Sequence, residues 1–196
     1  MKIHIVDYDS GNLESIRNAL KKVGCEPVTT NKASELINAN AVIFHGQGSF
    51  PSAMDKLSQF DITKTLIGLI KNGVPFLGIC LGLQLMFESS EEGNIEGLNL
   101  LKGTVPKISD SVKVPHIGWN SVKFGKSHKI FEGIPDDSYF YFLHSYYVNP
   151  LSSENIIGST NYGNDFCSAY GSDNYVGVQF HPEKSGDLGL QIFDNF

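Results

Sequence analysis

The sequence predicts a three-layer α/β fold whose central sheet is mostly parallel, with antiparallel strands added to it. In the first half of the chain, short apolar runs alternate with segments that carry apolar residues at helical spacing, a pattern typical of a parallel sheet covered on both faces. In the second half, extended runs follow one another without helices between them, which favours antiparallel hairpins. We find no repeat or linker in the 196 residues, so a single domain over residues 1–196 is expected.

The elements of the first half follow from their apolar spacing. Strands are predicted at residues 2–6, 27–30, 41–44 and 74–79. A helix from Leu13 to Val23 should end at Gly24, a typical C-terminal cap. Further helices are predicted over residues 32–37, around Leu57, over residues 62–70, and from Leu81 onwards. Residues 45–48, His-Gly-Gln-Gly, are predicted to form a glycine-rich loop.

The second half is predicted to consist almost entirely of strands. A short helix over residues 189–196 should close the chain. The extended runs are residues 103–108, 120–124, 139–148, 156–162, 166–170 and 176–180.

Composition excludes several classes of function. Hydrophobic residues make up 41% and charged residues 18%, as in ordinary globular proteins, and the net charge of -6 argues against binding nucleic acid. No apolar run reaches the roughly 18 residues that a membrane helix needs. The first residues become polar too early for a signal peptide, so a cytoplasmic location is expected.

Neither a disulfide framework nor a metal site is predicted. The three cysteines, Cys25, Cys80 and Cys167, are odd in number and have no C-x-x-C spacing. The histidines do not fall at ligand spacings, and no phosphate-binding loop with a following lysine is present. We therefore expect no metal, no nucleotide and no other cofactor.

Residues 78–82, Gly-Ile-Cys-Leu-Gly, join a predicted buried strand to a predicted helix. This has the form of a nucleophile elbow with Cys80 in place of serine. The helix dipole would favour a thiolate, and the N–H of Leu81 would be free to stabilise an oxyanion. Gln84 should share a helix face with Cys80. The alternative is a buried structural cysteine at a glycine-flanked strand end.

A second motif, residues 179–183, Gln-Phe-His-Pro-Glu, ends the last predicted strand. Proline disfavours helical geometry at the preceding residue, so His181 is expected to be extended. If the extended path continues, His181 and Glu183 point to the same side. The carboxylate would then fix the imidazole tautomer and leave the other ring nitrogen to serve a thiol.

These motifs resemble the class I, triad-type glutamine amidotransferases. The similarity rests on residues 77–85, Leu-Gly-Ile-Cys-Leu-Gly-Leu-Gln-Leu, and on residues 179–185, Gln-Phe-His-Pro-Glu-Lys-Ser. Further motifs resemble the glutaminase subunits of imidazole glycerol phosphate synthases, from one end of the chain to the other. They are residues 6–8 with 11–12, 115–120, 144–147 and 182–186. The resemblance implies a flavodoxin-like sheet.

The resemblance also implies a mechanism. Cys80 would attack the amide of glutamine, His181 would protonate the departing ammonia, Glu183 would orient His181, and water would release glutamate from the thioester. Backbone N–H groups of Leu81 and of Gln47 or Gly48 would form the oxyanion hole. The residues implied to hold glutamine are Gln84, Glu92, His144, Ser145 and Tyr146. Taken alone, Glu92 would be interpreted as a solvated residue at a helix end.

The same resemblance implies a partner. Ammonia would pass through a tunnel into a (β/α)8-barrel cyclase subunit, in a heterodimer that makes imidazole glycerol phosphate and an aminoimidazole-carboxamide ribonucleotide for histidine synthesis. Asn12, Trp119 and Lys184 are expected near that partner. Asn12 is equally compatible with a helix cap, and Trp119 with a core position.

One segment departs from the family pattern. Residues 45–48 read His-Gly-Gln-Gly where the family usually has Pro-Gly-Val-Gly. Either activity depends less on the partner's ligand, or the change is neutral drift at a loop that tolerates substitution. His45 itself is not expected to be catalytic.

One alternative function stays open, and two others are argued against by residues that this chain contains. A paralogous system that forms amidino groups on sugars would use the same chemistry. A peptidase or a non-catalytic scaffold would lack the glutamine-holding set or part of the triad.

Overall fold

The computed structural model describes residues 1–9, 11 and 13–196. Its strands are β1 Lys2–Val6, β2 Glu26–Thr30, β3 Val42–Gly46, β4 Phe76–Cys80, β5 Phe87–Ser90, β6 Ile95–Glu96, β7 Leu101–Val105, β8 His116–Phe124, β9 Ser138–His144, β10 Asn149–Pro150, β11 Ile156–Tyr162, β12 Asn164–Gly171 and β13 Tyr175–Val178. Its α-helices are α1 Leu13–Lys22, α2 Ala33–Leu36, α3 Phe50–Gln59, α4 Thr63–Lys71, α5 Leu81–Gln84 and α6 Gly186–Asn195. Two short 3₁₀ helices span Lys129–Phe131 and Pro182–Lys184.

The main sheet has nine strands in the order β2-β1-β3-β4-β13-β12-β11-β8-β9. The first five strands are parallel to one another, and each pair of neighbours from β13 to β9 is antiparallel. An order of 2-1-3-4-5 is that of flavodoxin-like sheets, with β13 as the fifth strand. The predicted fold class, a mostly parallel sheet with added antiparallel strands, is confirmed.

Two apolar cores cover the two faces of this sheet. On one face, Ile16 and Leu20 of α1 and Phe193 of α6 pack against sheet residues. On the other face the helices α3 and α4 contribute Leu57 and Leu66. The alternation of side chains along a strand sends neighbouring residues of β3, Ile43 and Phe44, into opposite cores. Within the described ranges, no helix is long and apolar enough to cross a membrane.

Two parts of the sequence prediction were wrong. Residues 45–46 were assigned to a loop, but they complete β3, because they pair with Ile79 and Cys80 of β4. The helix after Cys80 has only four residues, and the chain then enters a second sheet of order β10-β7-β5-β6 that the apolar pattern did not indicate. As a result Glu92 follows a strand and does not lie at a helix end.

Candidate functional site

Cys80 lies at the carboxyl end of β4, between β3 and β13 in the sheet. Its backbone has φ 53° and ψ -110°, a conformation that non-glycine residues rarely adopt and that costs about 1–3 kcal/mol. Strain of this kind is a feature of a nucleophile elbow, because the sharp turn lifts the side chain clear of the sheet. With four residues, α5 supplies less dipole than the predicted helix, but its first N–H groups remain without partners inside the helix.

Gly82 lets the elbow pack closely against β3. A Cβ atom at this position would lie 1.7 Å from the carbonyl oxygen of Phe44, a backbone atom that cannot move aside without disturbing the strand. We expect Gly82→Ala to lower the free energy of unfolding by roughly 2–4 kcal/mol, measured by denaturant titration.

Gly68 provides the matched control for this substitution. It lies inside α4 and has nothing within 4 Å of an added Cβ atom, so Gly68→Ala should leave stability unchanged or raise it by roughly 0.5–1 kcal/mol. Equal stability of the Gly82 and Gly68 variants would contradict the proposed close packing.

The Cys80 thiol is 6% exposed and has two polar neighbours. Its Sγ lies 3.7 Å from the carbonyl oxygen of Leu143 and 3.5 Å from Nε2 of Gln179, which donates to it. The same side chain of Gln179 also contacts the Gln84 amide through its Oε1. The sulfur is therefore held between β9 and β13 and has a donor that can stabilise a thiolate.

His181 and Glu183 form a buried pair. Nδ1 of His181 lies 2.8 Å from Oε1 of Glu183, and their side chains are 0% and 1% exposed. The predicted extended path is wrong beyond His181, because Pro182 opens a 3₁₀ turn. That turn still brings the carboxylate back to the imidazole. Nε2 of His181 makes no hydrogen bond in the described part of the chain.

The charges in this group are coupled. Burial alone would lower the pKa of His181, but the Cys80 thiolate and the hydrogen-bonded carboxylate of Glu183 raise it to about 10. Burial would likewise raise the pKa of Glu183, but the hydrogen bond from His181 and its positive charge hold that pKa below its usual value. The arrangement therefore favours an ionised carboxylate and a protonated imidazole at neutral pH.

A cavity of about 310 Å³ opens directly over Cys80. Its lining brings together the nucleophile candidate, the three residues predicted for the oxyanion hole and the five predicted to hold glutamine. These residues are Cys80, Leu81, Gln47, Gly48, Gln84, Glu92, His144, Ser145 and Tyr146, joined by Gly46, Pro115 and Leu143. His181 and Glu183 are not among its lining residues, and their side chains are buried.

The predicted glutamine-holding residues are fixed by hydrogen bonds. Nε2 of Gln84 donates to the carbonyl of Tyr146 at 2.8 Å, and Oε2 of Glu92 accepts from the N–H of Phe50 at 2.7 Å. His144 is buried, and its Nδ1 lies 2.8 Å from the same Tyr146 carbonyl. Burial lowers the pKa of His144 to about 3, so this ring is neutral at neutral pH.

His116 continues this network beyond the cavity. Its Nδ1 lies 3.0 Å from Nε2 of His144, and its Nε2 lies 3.3 Å from Nδ2 of Asn120. If His144 donates to the Tyr146 carbonyl, its Nε2 must accept from His116, whose Nε2 then accepts from Asn120. The direction of each of these hydrogen bonds is thereby set. Burial also lowers the pKa of His116 to about 4, so both histidines of this hydrogen-bond network are neutral at neutral pH.

The sequence missed Gln179, Ser185 and His116 as site residues. Each lies within a motif that was recognised, but the motif gave no reason to single it out. The Ser185 hydroxyl donates to the carbonyl of His181 and accepts from the N–H of Tyr141, so it ties the His181 turn to β9. Such contacts join residues that are distant in sequence, and spacing alone does not reveal them.

His45 lies against the buried pair. Its Nε2 is 3.8 Å from Oε1 of Glu183, and its ring meets that of His181 edge-on with centroids 5.9 Å apart. Among the described residues, His45, His181 and Glu183 form a group whose potential ligand atoms all lie within 4.8 Å of one another. A bound ion would have to displace the hydrogen bond between His181 and Glu183.

Two of the three residues predicted near a partner lie on the surface. Trp119 is 56% exposed, so the alternative core position is wrong, and its ring meets that of Tyr141 edge-on. Lys184 is exposed and its Nζ lies 5.8 Å from the centroid of the same Tyr141 ring. Asn12 lies outside the described residues.

Comparison with known proteins gives one consistent family. A family model described as glutamine amidotransferase class-I matches residues 4–196. The imidazole glycerol phosphate synthase subunit HisH of Methanocaldococcus jannaschii is 48% identical over 195 residues, which cover 99% of this chain and 97% of the relative. The subunit of the same name from Moorella thermoacetica is 45% identical over 195 residues, covering 99% and 93%.

Solved structures show the same fold at low identity. The structure of PurLQS from Thermotoga maritima has a TM-score of 0.77 at 18% identity and covers 99% of this chain and 96% of that chain. The CTPS glutaminase domain of Trypanosoma brucei, with bound acivicin, has a TM-score of 0.70 at 17% identity, covering 100% and 93%. Both similarities cover nearly the whole of this chain.

Proposed function

The chain belongs to the class I glutamine amidotransferases, and from this premise we propose that it is the glutaminase subunit of an imidazole glycerol phosphate synthase. In this role it hydrolyses glutamine and delivers ammonia to a cyclase subunit in histidine biosynthesis. One observation carries the proposal: a single cavity is lined by Cys80 and by all five residues that the family would use to hold glutamine.

The proposed steps use side chains and backbone groups of this chain, with glutamine and water as the reactants. The Cys80 thiolate attacks the side-chain amide carbon of glutamine, and the developing oxyanion accepts hydrogen bonds from the N–H of Leu81 and from a backbone N–H of Gln47 or Gly48, just after β3. Protonated His181 gives its proton to the leaving nitrogen, so that ammonia departs and a thioester remains. Neutral His181 then takes a proton from water, which attacks the thioester and releases glutamate.

The names of the relatives support this pathway over the sugar-amidine alternative, because the relatives described above are imidazole glycerol phosphate synthase subunits. We also infer that residues 1–196 function as one domain, since both cores pack on the same sheet. A cytoplasmic location fits such a biosynthetic enzyme.

The surface beside the cavity supports a heterodimer. Ile117, Trp119 and Tyr139 are each more than half exposed, and the β8–β9 register places them on one face of the hairpin. On the same hairpin, the carbonyl of Leu143 contacts the Cys80 thiol. An exposed apolar face of this kind is typical of a protein interface, and here it adjoins the site where ammonia would form.

The test is glutamate release from glutamine by the purified chain, with and without the cyclase subunit and its nucleotide ligand. We expect glutamate release to rise when the cyclase subunit is added. The further rise on adding its nucleotide ligand measures how strongly that ligand controls the glutaminase, and a small rise would mean that residues 45–48 weaken this control. We also expect Trp119→Ala to weaken partner binding by about tenfold or more, measured by titration, since aromatic residues dominate interface energy.

Leu151→Ala is the matched control, because Leu151 is 80% exposed and apolar but does not lie on β8 or β9. Equal weakening by both variants, or none by Trp119→Ala, would contradict the proposed interface. Glutaminase activity that ignores the cyclase would favour a different synthase as the partner.

A further inference from the structure

His45 leaves buried hydrogen-bonding capacity unused beside the proposed triad. Its side chain is 0% exposed, and neither ring nitrogen has a hydrogen-bond partner within the described ranges of the chain. Oε2 of Glu183 is buried and unpartnered in the same way. Buried polar groups nearly always find partners, so an unused donor next to an unused acceptor is unusual in a folded protein.

The sheet topology brings the two side chains to the same place. His45 pairs in register with Ile79, one residue before the nucleophile, and shares a face of β3 with Ile43. On the other side of β4, β13 leads through His181 to Glu183. His45 on β3 and Glu183 in the 3₁₀ turn after β13 therefore approach each other from the two sides of β4.

The separation lies just outside hydrogen-bonding range. The 3.8 Å between Nε2 of His45 and Oε1 of Glu183 exceeds the usual 2.7–3.2 Å by less than 1 Å, which a small movement can close. Catalytic hydrogen bonds are often long in ligand-free sites and tighten in the complex. A carboxylate that already accepts one bond from His181 still has lone pairs available.

The charge state of His45 suits it to donate. Burial lowers its pKa to about 4, with Glu183 opposing that effect and His181 and Lys184 adding to it. The ring is therefore neutral at neutral pH and carries a single N–H. A neutral donor satisfies the carboxylate without cancelling the negative charge that Glu183 presents to His181.

We propose that His45 is a positioning residue that donates its Nε2–H to the carboxylate of Glu183 and so holds Glu183 against His181. The inference rests on the proposed glutaminase function only in its kinetic consequences. The tautomer that the hydrogen bond requires can be observed without any turnover.

The tautomer of His45 gives the direct test. In protein labelled with ¹⁵N-histidine, we expect the nitrogen shifts of His45 at pH 7 to show a neutral ring protonated at Nε2, assigned by the signal that disappears in His45→Gln. A ring protonated at Nδ1, or one charged at pH 7, would overturn the proposal. This result is independent of whether the chain hydrolyses glutamine.

Two substitutions test the kinetic consequence. His45→Met fills similar space without a donor, whereas the amide of His45→Gln can donate from a similar distance along the side chain. We expect His45→Met to lower kcat for glutamate release about tenfold with little change in KM, and His45→Gln to restore most of it. Equal losses in both variants would show that His45 only fills space.

The pH profile separates positioning from packing. Removing a donor from an ionised carboxylate raises the pKa of that carboxylate. The acid limb of the kcat/KM profile should therefore lie at higher pH in His45→Met than in the wild type. The profile of His45→Gln should follow that of the wild type. An acid limb of kcat/KM that does not move in His45→Met would overturn the proposal.

The controls separate folding and metal effects from positioning. His4→Met changes another buried histidine, on β1, and should leave the profile unchanged. Thermal unfolding of each variant shows whether it is folded, and a chelator in all assays removes ions that could bind at His45. If His45→Met does not fold, the tautomer and His45→Gln still decide the question, and wild-type activity together with Cys80→Ala decides the proposed function separately.

Discussion

Replacing Cys80 by alanine is expected to reduce glutamate release by at least about 10⁴-fold, to the background of the assay, because the reaction then has no nucleophile. The proposed oxyanion donors and glutamine-holding residues would remain, but they cannot form the thioester. The measurement is glutamate production in the presence of saturating glutamine and the cyclase subunit, where wild-type activity should be highest.

Cys167→Ala is the matched control for this result. Cys167 is 6% exposed, as Cys80 is, but burial raises the pKa of its thiol to about 12, so that it stays protonated. It lies on β12, outside the cavity over Cys80. We expect its replacement to leave kcat nearly unchanged. A Cys80→Ala variant with normal activity would make Cys80 a structural cysteine and remove the basis of the proposed mechanism.

Alkylation offers a second measurement that requires no substrate. Iodoacetamide should modify Cys80 before Cys167, because the thiolate is the reactive form and burial keeps the Cys167 thiol protonated by raising its pKa. Peptide mapping after brief treatment would show the order of modification.

The parallel half of the fold could be predicted from the sequence, because the apolar spacing of its strands and helices matches the residues that are buried. Strand β1, for example, is a short apolar run that is buried as expected, and α1 has its apolar residues on the face that packs on the sheet. The elbow was equally visible, since a cysteine flanked by two glycines between a strand and a helix is typical of such a turn. The geometry at Cys80 and Gly82 agrees with that interpretation.

The second sheet could not be predicted from the sequence. Strands β5, β6 and β10 have four, two and two residues, too few to establish a period, and β5 pairs with strand β7, which begins at Leu101. Their existence depends on long-range pairing. The prediction that Glu92 lies at a helix end was wrong for this reason. Glu92 follows β5, where its carboxylate accepts from the N–H of Phe50 and lines the cavity.

Contacts between motifs that are distant in the chain could not be predicted from the sequence either. His45 and Glu183 are separated by most of the chain, and the hydrogen bond from Gln179 to Cys80 joins residues 99 apart. The family pattern predicts a role for the backbone at Gln47 and none for the side chain of His45. The strand assignment of His45, which follows from pairing with β4, places that side chain beside the triad.

Glu183→Gln is expected to lower kcat/KM by roughly 10²- to 10⁴-fold while leaving the fold intact. The carbonyl oxygen of the new amide can still accept the bond from Nδ1 of His181, now 2.8 Å from Oε1, so the substitution removes mainly the negative charge. Without that charge, the protonated form of His181 is less stable and protonates the leaving ammonia less readily. Glutamate release with the cyclase subunit measures the effect, and the exposed Glu96→Gln on β6 is its control.

The pH dependence should show that the charge is the cause. In the wild type the pKa of His181 is raised to about 10, so the proposed general acid remains protonated until the solution is strongly alkaline. Loss of the Glu183 charge lowers that pKa, and the protonated form is then lost as pH rises through the lower value. The basic limb of kcat/KM should move to lower pH in Glu183→Gln.

Comparison with Glu183→Ala then separates orientation from charge. If the alanine variant is much slower than the glutamine variant, the hydrogen bond that fixes the imidazole contributes beyond the charge, as expected for a buried pair whose turn is tied to β9 through Ser185. If the two are equally slow, the charge alone accounts for the role of Glu183. Wild-type activity in Glu183→Gln, with an unmoved basic limb, would mean that the Cys80 thiolate suffices to keep His181 protonated and that the carboxylate only selects the tautomer.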